Sequence, residues 1–228
     1  MQNDLTPSER RLRNELKRMT ELTQRTSLIG FQSFGNPPDR YTVTFRCGGM
    51  IDANTIGQEH VAKIYLPAEY PREAPKVSFL TRCFHPNIVA AVQVRSVQEK
   101  INRRLQLAED EERRRELIEE MEKDETLWEA HVCLDALDYN WSPAITLDEV
   151  CIELAEMLQY KRFNVDDPLN PEAADWARRN REQFPVDRRA VLDLELNREI
   201  VINILGPDLA QKTAERPLKI TILERRNG

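Results

Sequence analysis

Three short fragments of the chain carry side chains that could do chemistry together. Cys133-Leu134-Asp135 supplies a thiol two residues before a carboxylate, His85-Pro86-Asn87 supplies an imidazole and a neutral amide, and Asp166-Asp167 supplies two more carboxylates. A thiol attacks as its thiolate, and its nucleophilicity falls as its pKa falls. No basic residue stands directly beside Cys133. Cys133 therefore has the setting of a poised nucleophile rather than that of a strongly acidified protease cysteine.

The chain has four cysteines at irregular spacing: Cys47, Cys83, Cys133 and Cys151. The first residues lack the basic and then apolar pattern of a signal peptide, so we expect a cytoplasmic protein without a disulfide framework. Cys83-Phe84-His85 and His131-Val132-Cys133 form a mirrored pair that could in principle hold zinc tetrahedrally. Neither half has a known zinc spacing, and zinc would occupy the proposed nucleophile. No metal is therefore predicted.

Length, composition and net charge limit the classes of partner that we expect. The 228 residues suffice for one domain with additions or for two small domains, and 40% of them are hydrophobic and 32% charged. The net charge of -6 gives no overall attraction to nucleic acid or to an anionic membrane. No apolar run approaches the roughly 18 residues of a membrane span. We therefore predict no nucleic-acid or membrane partner.

The first element that could position the site is a basic amphipathic helix. Thr6 can cap it, Pro7 suits its first position, and Glu9 can close a capping box. Leu12, Leu16 and Met19 give it one apolar stripe. The rest of the helix carries Arg10, Arg11, Arg13, Lys17 and Arg18. This charge run is either a solvated face or a docking surface.

The chain then changes from helical to strand periodicity and back. Tyr41, Val43 and Phe45 alternate with threonines, and turn residues at 35–38, at 48–49 and at Pro71 separate short strands, which predicts an antiparallel meander. Thr146-Leu147-Asp148-Glu149 is a second capping box, and Asn170-Pro171 can start a further helix toward Phe184. The predicted fold class is therefore α+β.

Four fragments, taken together and in order, resemble the ubiquitin-conjugating (E2) enzyme family. They are Tyr70-Pro71; His85-Pro86-Asn87-Ile88; Cys133-Leu134-Asp135 leading into Trp141-Ser142-Pro143-Ala144; and Asp166-Asp167-Pro168-Leu169-Asn170-Pro171-Glu172-Ala173. A lone His-Pro-Asn would mean little, whereas four fragments in register argue against chance. The resemblance covers residues 6–184 apart from residues 89–131. It implies the UBC fold, with an N-terminal helix, a four-stranded antiparallel meander sheet and two or more C-terminal helices.

The resemblance also implies an activity and its partners. Cys133 would accept ubiquitin or a ubiquitin-like protein from an activating enzyme (E1) as a thioester, and pass it to a lysine amine or to a downstream ligase (E3). The E1 uses the ATP of this pathway, so the chain itself would need no cofactor. The runner-up interpretation is a catalytically silent E2-like module that only presents the modifier. A cysteine hydrolase ranks third, because no histidine is clearly placed to act as its base.

The family motif assigns roles to the residues around Cys133. Asn87 would donate to the oxyanion, an interaction whose loss can cost about 10²–10³ in rate, or it would hold the active-site loop through backbone hydrogen bonds. A lysine amine is protonated at its usual pKa of about 10.4. Asp167, at the acidic gate position, and Asp135 would orient it and help to deprotonate it, although Asp166 and Asp167 also suit a simple helix-entry loop. His85 and Pro86 would be structural in the loop.

The resemblance also assigns two docking surfaces. The basic first helix, with Arg10, Arg11, Arg13, Lys17 and Arg18, matches the surface on which the family binds its E1. The ligase-binding loops would contain Arg72, Ser142, Pro143 and Ala144. Arg72 stands where many members have an apolar residue, and Ala74-Pro75 replaces the usual Pro-Pro.

A long insertion replaces the short turn that precedes the catalytic cysteine in the family. Residues 92–128 contain no Gly or Pro, and their apolar residues recur at spacings of three and four. A single helix over this stretch would span about 55 Å and leave no residues to return. We therefore predict a charged helical hairpin within residues 89–131, or else a disordered charged loop. The predicted domains are residues 1–184, interrupted by 89–131, and a C-terminal extension of unknown role, 185–228.

Overall fold

A computed structural model of the chain describes residues 5–90, 112–113, 132 and 141–192. The chain divides into two compact units, Met1–Val191 and Leu192–Gly228, and the fold below is that of the first unit. Cys133 and Asp135 lie outside the described residues. So does the predicted helical hairpin, apart from Glu112 and Arg113, which have helical conformation.

The first helix, α1, forms where the capping signals place it, over Pro7–Arg25. The backbone N–H of Thr6 donates to the Glu9 carboxylate at 2.8 Å, and the Glu9 N–H donates to the Thr6 hydroxyl at 3.2 Å. This closes the predicted capping box. Met19 and Leu22 are buried on the face that contacts the sheet and the second helix.

Eight short strands follow α1 within residues 29–89. They are β1 Ile29–Gly35, β2 Pro38–Phe45, β3 Gly49–Asp52, β4 Thr55–Gly57, β5 His60–Tyr65, β6 Lys76–Phe79, β7 Phe84–His85 and β8 Ile88–Val89. The predicted four-stranded antiparallel sheet is confirmed, in the order β1-β2-β5-β6. Tyr41, Val43 and Phe45 point into the core, and β5 pairs Ala62 with Val43 and Ile64 with Tyr41. The hairpin β3–β4 between the second and third strands of this sheet was not predicted.

Two α-helices follow the insertion within residues 141–192. The first, α2, spans Leu147–Leu158, and the backbone N–H of Thr146 donates to the Glu149 carboxylate at 2.8 Å, as the second capping box predicts. The second, α3, spans Pro171–Arg179 with the Asn170 side chain as its N-cap. It ends before Phe184, where the sequence had placed its end, and a single 3-10 turn over Arg181–Gln183 follows. The α+β fold with an N-terminal helix, a meander sheet and later helices is therefore as predicted.

The compact unit continues past Phe184, where the sequence prediction ended the domain, to Val191. We call residues 185–191 the C-terminal strap. The Val186 N–H donates to the Gln159 carbonyl at 3.0 Å, and the Asp187 carboxylate accepts the Gly48 N–H at 2.7 Å. Val191 is buried. The strap is therefore part of the folded domain.

Among the described residues, no helix combines the length and the apolar character that crossing a membrane requires.

Candidate active site

The His-Pro-Asn motif forms the tight turn of a small hairpin. β7 and β8 pair antiparallel, with His85 opposite Ile88, so that Pro86 and Asn87 are the two turn residues. Both His85 and Asn87 are buried, as is Ile88. Ile88 also forms an isolated antiparallel bridge with Val132, on the far side of the insertion. The two ends of the insertion therefore meet, as the length argument required, and Val132 is the residue directly before Cys133.

The Asn87 side chain is occupied by hydrogen bonds to one loop. Its amide nitrogen donates to the carbonyls of Asn164 at 3.0 Å and Asp167 at 3.2 Å, and its oxygen accepts the Asn164 N–H at 2.8 Å. A side-chain amide has only two N–H donors. Both are used here, so the structure supports the loop-holding role of Asn87, and the oxyanion role stays a prediction.

His85 and Pro86 connect the same turn to other segments of the domain through hydrogen bonds. The His85 Nδ1 accepts the Asn87 N–H at 3.1 Å, which leaves Nε2 to donate to the Arg162 carbonyl at 3.2 Å. Burial lowers the pKa of His85 to about 3, so the ring is neutral at ordinary pH. The Pro86 carbonyl accepts the Asn170 N–H at 2.9 Å. His85 is therefore uncharged, both of its ring nitrogens are used in hydrogen bonds and neither is available for zinc, and both residues have structural contacts.

The acidic pair lies on the loop that Asn87 holds. Asp166 and Asp167 are both exposed, and the Asp166 N–H donates to the Asn164 side-chain oxygen at 2.7 Å, which tightens the turn. The Asp167 backbone is bound to Asn87, so this carboxylate is carried on a loop fixed to the motif. Its predicted role toward an incoming amine stays a prediction.

Three of the four cysteines are described, and all three are buried inside the domain. Burial raises the pKa of the Cys47 thiol to about 12 and raises the pKa values of Cys83 and Cys151 as well. Very little thiolate exists at such sites near neutral pH. None of the three is suited to be a nucleophile, which favours Cys133 for that role.

The two loops predicted to bind a ligase lie beside each other. The Trp141 indole N–H donates to the Pro71 carbonyl at 2.9 Å, and the Tyr70 and Trp141 ring centres are 5.9 Å apart. Arg72 is largely exposed, with Glu69 as its ion-pair partner at 3.5 Å. Pro143 and Ala144 are also exposed, and the Ser142 hydroxyl accepts the Ala144 N–H at 3.3 Å.

A buried carboxylate on α1 ties both of these loops to the domain. Glu15 is fully buried, and its oxygens accept the Tyr70 hydroxyl at 2.8 Å, the Leu147 N–H at 2.8 Å and the Arg11 Nε at 2.5 Å. Arg11 in turn donates to the carbonyls of Pro143 at 2.8 Å and Ile145 at 2.6 Å. Sequence reasoning missed Glu15, although its spacing of four from Met19 places it on the apolar stripe.

The structure separates Arg11 from the other basic residues of α1. Arg10, Arg13, Lys17 and Arg18 are exposed, whereas Arg11 turns inward to Glu15 and to the loop at 143–145. The sequence grouped all five as an E1-binding surface. The four exposed side chains remain candidates for that surface, while the contacts of Arg11 within the chain give it a positioning role in the loop.

Replacing Arg11 by alanine is expected to destabilise the domain by about 2 kcal/mol, because hydrogen bonds to charged groups contribute that much and the buried Glu15 would lose its cation. Urea unfolding followed by circular dichroism measures this. Arg13→Ala is the matched control on the exposed face, where substitutions stay within about 0.5 kcal/mol. Equal free energies of unfolding for the two variants would show that the inward contacts of Arg11 contribute nothing.

Comparison of the sequence with known protein families gives a match over two parts of the chain. The sequence profile of the family described as "Ubiquitin-conjugating enzyme" matches residues 11–97 and 128–191, which is more than half of the chain. The match is interrupted inside the predicted insertion, 89–131. It also continues through the C-terminal strap to Val191.

Two individual proteins are similar over part of the chain. "Ubiquitin-conjugating enzyme E2 13" of Saccharomyces cerevisiae is 32% identical over 115 residues, which are 50% of this chain and 49% of that protein, so the chain spans about half the length of this relative. The solved E2 domain of a Toxoplasma gondii ubiquitin conjugating enzyme is 22% identical, with a TM-score of 0.47, over 78% of this chain and 92% of that one.

Proposed function

This chain belongs to the ubiquitin-conjugating (E2) enzyme family, and from that premise we propose that it is an active thioester carrier. Cys133 accepts ubiquitin or a ubiquitin-like protein from an E1 and passes it to a lysine amine or to a ligase. The observation that carries this proposal is the bridge between Ile88 and Val132, which joins the residue after Asn87 to the residue before Cys133. The buried state of the other three cysteines supports the same assignment.

The proposed reaction has two transfers. In the first, the Cys133 thiolate attacks the thioester carbonyl on the E1, a new carbon–sulfur bond forms, and the E1 thiol leaves as its thiolate. In the second, an uncharged lysine amine attacks that carbonyl, an amide forms, the Cys133 thiolate leaves, and the amine loses a proton to a base. Splitting one difficult step into two through a covalent intermediate is what nucleophilic catalysis provides.

The residues beside the motif would serve the second transfer. Asp167, exposed on the loop that Asn87 holds, would orient the incoming lysine amine, with Asp135 as a helper. A carboxylate accepts a proton only weakly at pH 7, so the orientation of the amine and the exclusion of water from the site would contribute more than full general-base catalysis. Asn87 would keep the loop at the distance that the attack requires.

Two exposed surfaces would bind the partner proteins. The exposed basic residues of α1 would bind an E1 through complementary charge, and that contact should weaken as salt is added. The adjoining loops with Arg72 and with Ser142-Pro143-Ala144 would contact a ligase. Arg11 and Glu15 link the two surfaces inside the domain.

A charging assay tests the proposal. The protein is incubated with ATP, ubiquitin and the ubiquitin E1, and then with each ubiquitin-like modifier and its own E1. Products are separated on gels with and without a reducing agent. We expect one modifier to give an adduct that requires ATP and the E1 and that disappears on reduction. If no matched pair gives an adduct, the chain is a silent E2-like module and the carrier role is wrong.

A further inference from the structure

An aromatic residue at the end of α2 has a backbone conformation that suits glycine. Tyr160 follows the C-cap Gln159 and has a φ of 56°, in the left-handed region. Helices often end with a residue in this conformation, usually glycine, because a Cβ is unfavourable there. The Tyr160 ring is nevertheless buried at 2% exposure. A strained backbone at a buried aromatic residue indicates that its side chain makes contacts that offset the strain.

Those contacts reach the His-Pro-Asn turn. The Tyr160 hydroxyl donates to the Phe84 carbonyl at 2.5 Å, and the Tyr160 ring lies edge-on to the His85 ring with centroids 4.9 Å apart. Phe84 and His85 together are strand β7. Tyr160 therefore contacts both residues that lead into the turn, one through its hydroxyl and one through its ring.

The Tyr160 ring also packs against two aromatic residues from the later part of the domain. Phe184 stacks on it at 4.6 Å with an interplanar angle of 20°, and Trp176 lies edge-on at 5.8 Å. Gln159 accepts the Val186 N–H of the C-terminal strap, and its side-chain amide donates to the Arg189 carbonyl at 3.0 Å. The Tyr160 ring therefore packs against Phe184 and Trp176 as well as against β7, while the neighbouring Gln159 binds the C-terminal strap.

We infer that Tyr160 is a positioning residue for conjugation, which fixes β7 and thereby the His85 and Asn87 contacts that hold the loop carrying Asp167. The catalytic consequence rests on the proposed function, whereas the positioning does not. The packing contacts of Tyr160 come from its ring, whereas its hydrogen bond to the β7 backbone comes from its hydroxyl alone. The hydroxyl is therefore the part of the side chain to test.

Tyr160→Phe removes the hydroxyl and keeps the ring. Tyr41→Phe is the matched control, because Tyr41 is equally buried and its hydroxyl has no hydrogen-bond partner among the described residues. In a single-turnover chase, the protein charged with ubiquitin or its cognate modifier is mixed with free lysine. We expect Tyr160→Phe to discharge about tenfold more slowly, the effect of one lost hydrogen bond at a positioned site. The KM for the charged E1 should stay unchanged, because α1 is untouched.

A spectroscopic measurement tests positioning without any partner. In two-dimensional NMR of the ¹⁵N-labelled protein, the His85 ring N–H and the Asn87 side-chain amide should shift and exchange faster in Tyr160→Phe, and stay unchanged in Tyr41→Phe. If the wild type cannot be charged but these signals respond, the proposed function fails and the positioning role stands. If Tyr160→Phe matches Tyr41→Phe in both the signals and the discharge rate, Tyr160 only fills the core and the inference is wrong.

Discussion

Cys133→Ala is expected to abolish the reducible adduct with the modifier entirely, and Cys133→Ser to replace it with one that survives the reducing agent. The sulfur is the atom to which the modifier would be bound, so alanine leaves nothing to attack. A serine hydroxyl is a weaker nucleophile and would form an oxyester slowly, but a thiol reductant does not cleave that ester. Gels of timed charging reactions, run with and without reductant, measure both outcomes.

The buried cysteines provide the controls for that experiment. Cys47→Ala and Cys151→Ala change thiols whose pKa values are raised by burial, so both variants should charge like the wild type. Each removes only one sulfur atom from the core, which the fold should tolerate at a small cost in stability. If the adduct persists in Cys133→Ala and is lost in either control, the nucleophile is that buried cysteine and the assignment of Cys133 is wrong.

Local signals in the sequence were sufficient for most of the fold. Thr6 with Glu9 and Thr146 with Glu149 mark helix starts through contacts within four residues, so the two capping boxes could be identified without any tertiary information. The alternation of Tyr41, Val43 and Phe45 is equally local. The β3–β4 hairpin was missed because its strands have only four and three residues, too few for a clear period of two.

Long-range contacts explain what sequence reasoning could not provide. Arg11 lies among basic residues in the sequence, and only its partners at Pro143 and Ile145 separate it from them. The oxygens that Asn87 binds belong to residues 77 and 80 positions away. A motif can indicate that such a residue matters, but the identity of its partners depends on how distant segments pack.

Arg11 and Asn87 both donate side-chain hydrogen bonds to backbone carbonyls of a loop. Each binds the backbone of an irregular loop: Arg11 reaches from α1 to 143–145, and Asn87 reaches from the turn between β7 and β8 to 164–167. Loop carbonyls that face protein rather than water need donors, because an unpaired buried polar group is costly. The loops that would contact a ligase and the incoming lysine are therefore held by side chains rather than by sheet or helix hydrogen bonds.

Asn87→Ala is expected to slow the discharge of the charged protein to free lysine by about 10²-fold, because displacing a reacting group by about 1 Å can cost that much. It should also lower the free energy of unfolding by about 1–3 kcal/mol, since the Asn164 N–H and two loop carbonyls would lose their partners. Single-turnover chase reactions and urea unfolding measure the two effects.

Hydrogen exchange separates the two roles considered for Asn87. If it holds the loop, Asn87→Ala exposes the Asn164 N–H, whose exchange should rise together with the loss of rate. Asn87→Asp keeps an oxygen that can accept this N–H but loses both donors, so the Asn164 amide should stay more protected than in the alanine variant while the rate still falls. If Asn87→Ala slows discharge and leaves exchange at residues 164–167 unchanged, the amide acts on the oxyanion instead. Because both of its donors are bound to loop carbonyls, we expect the first result.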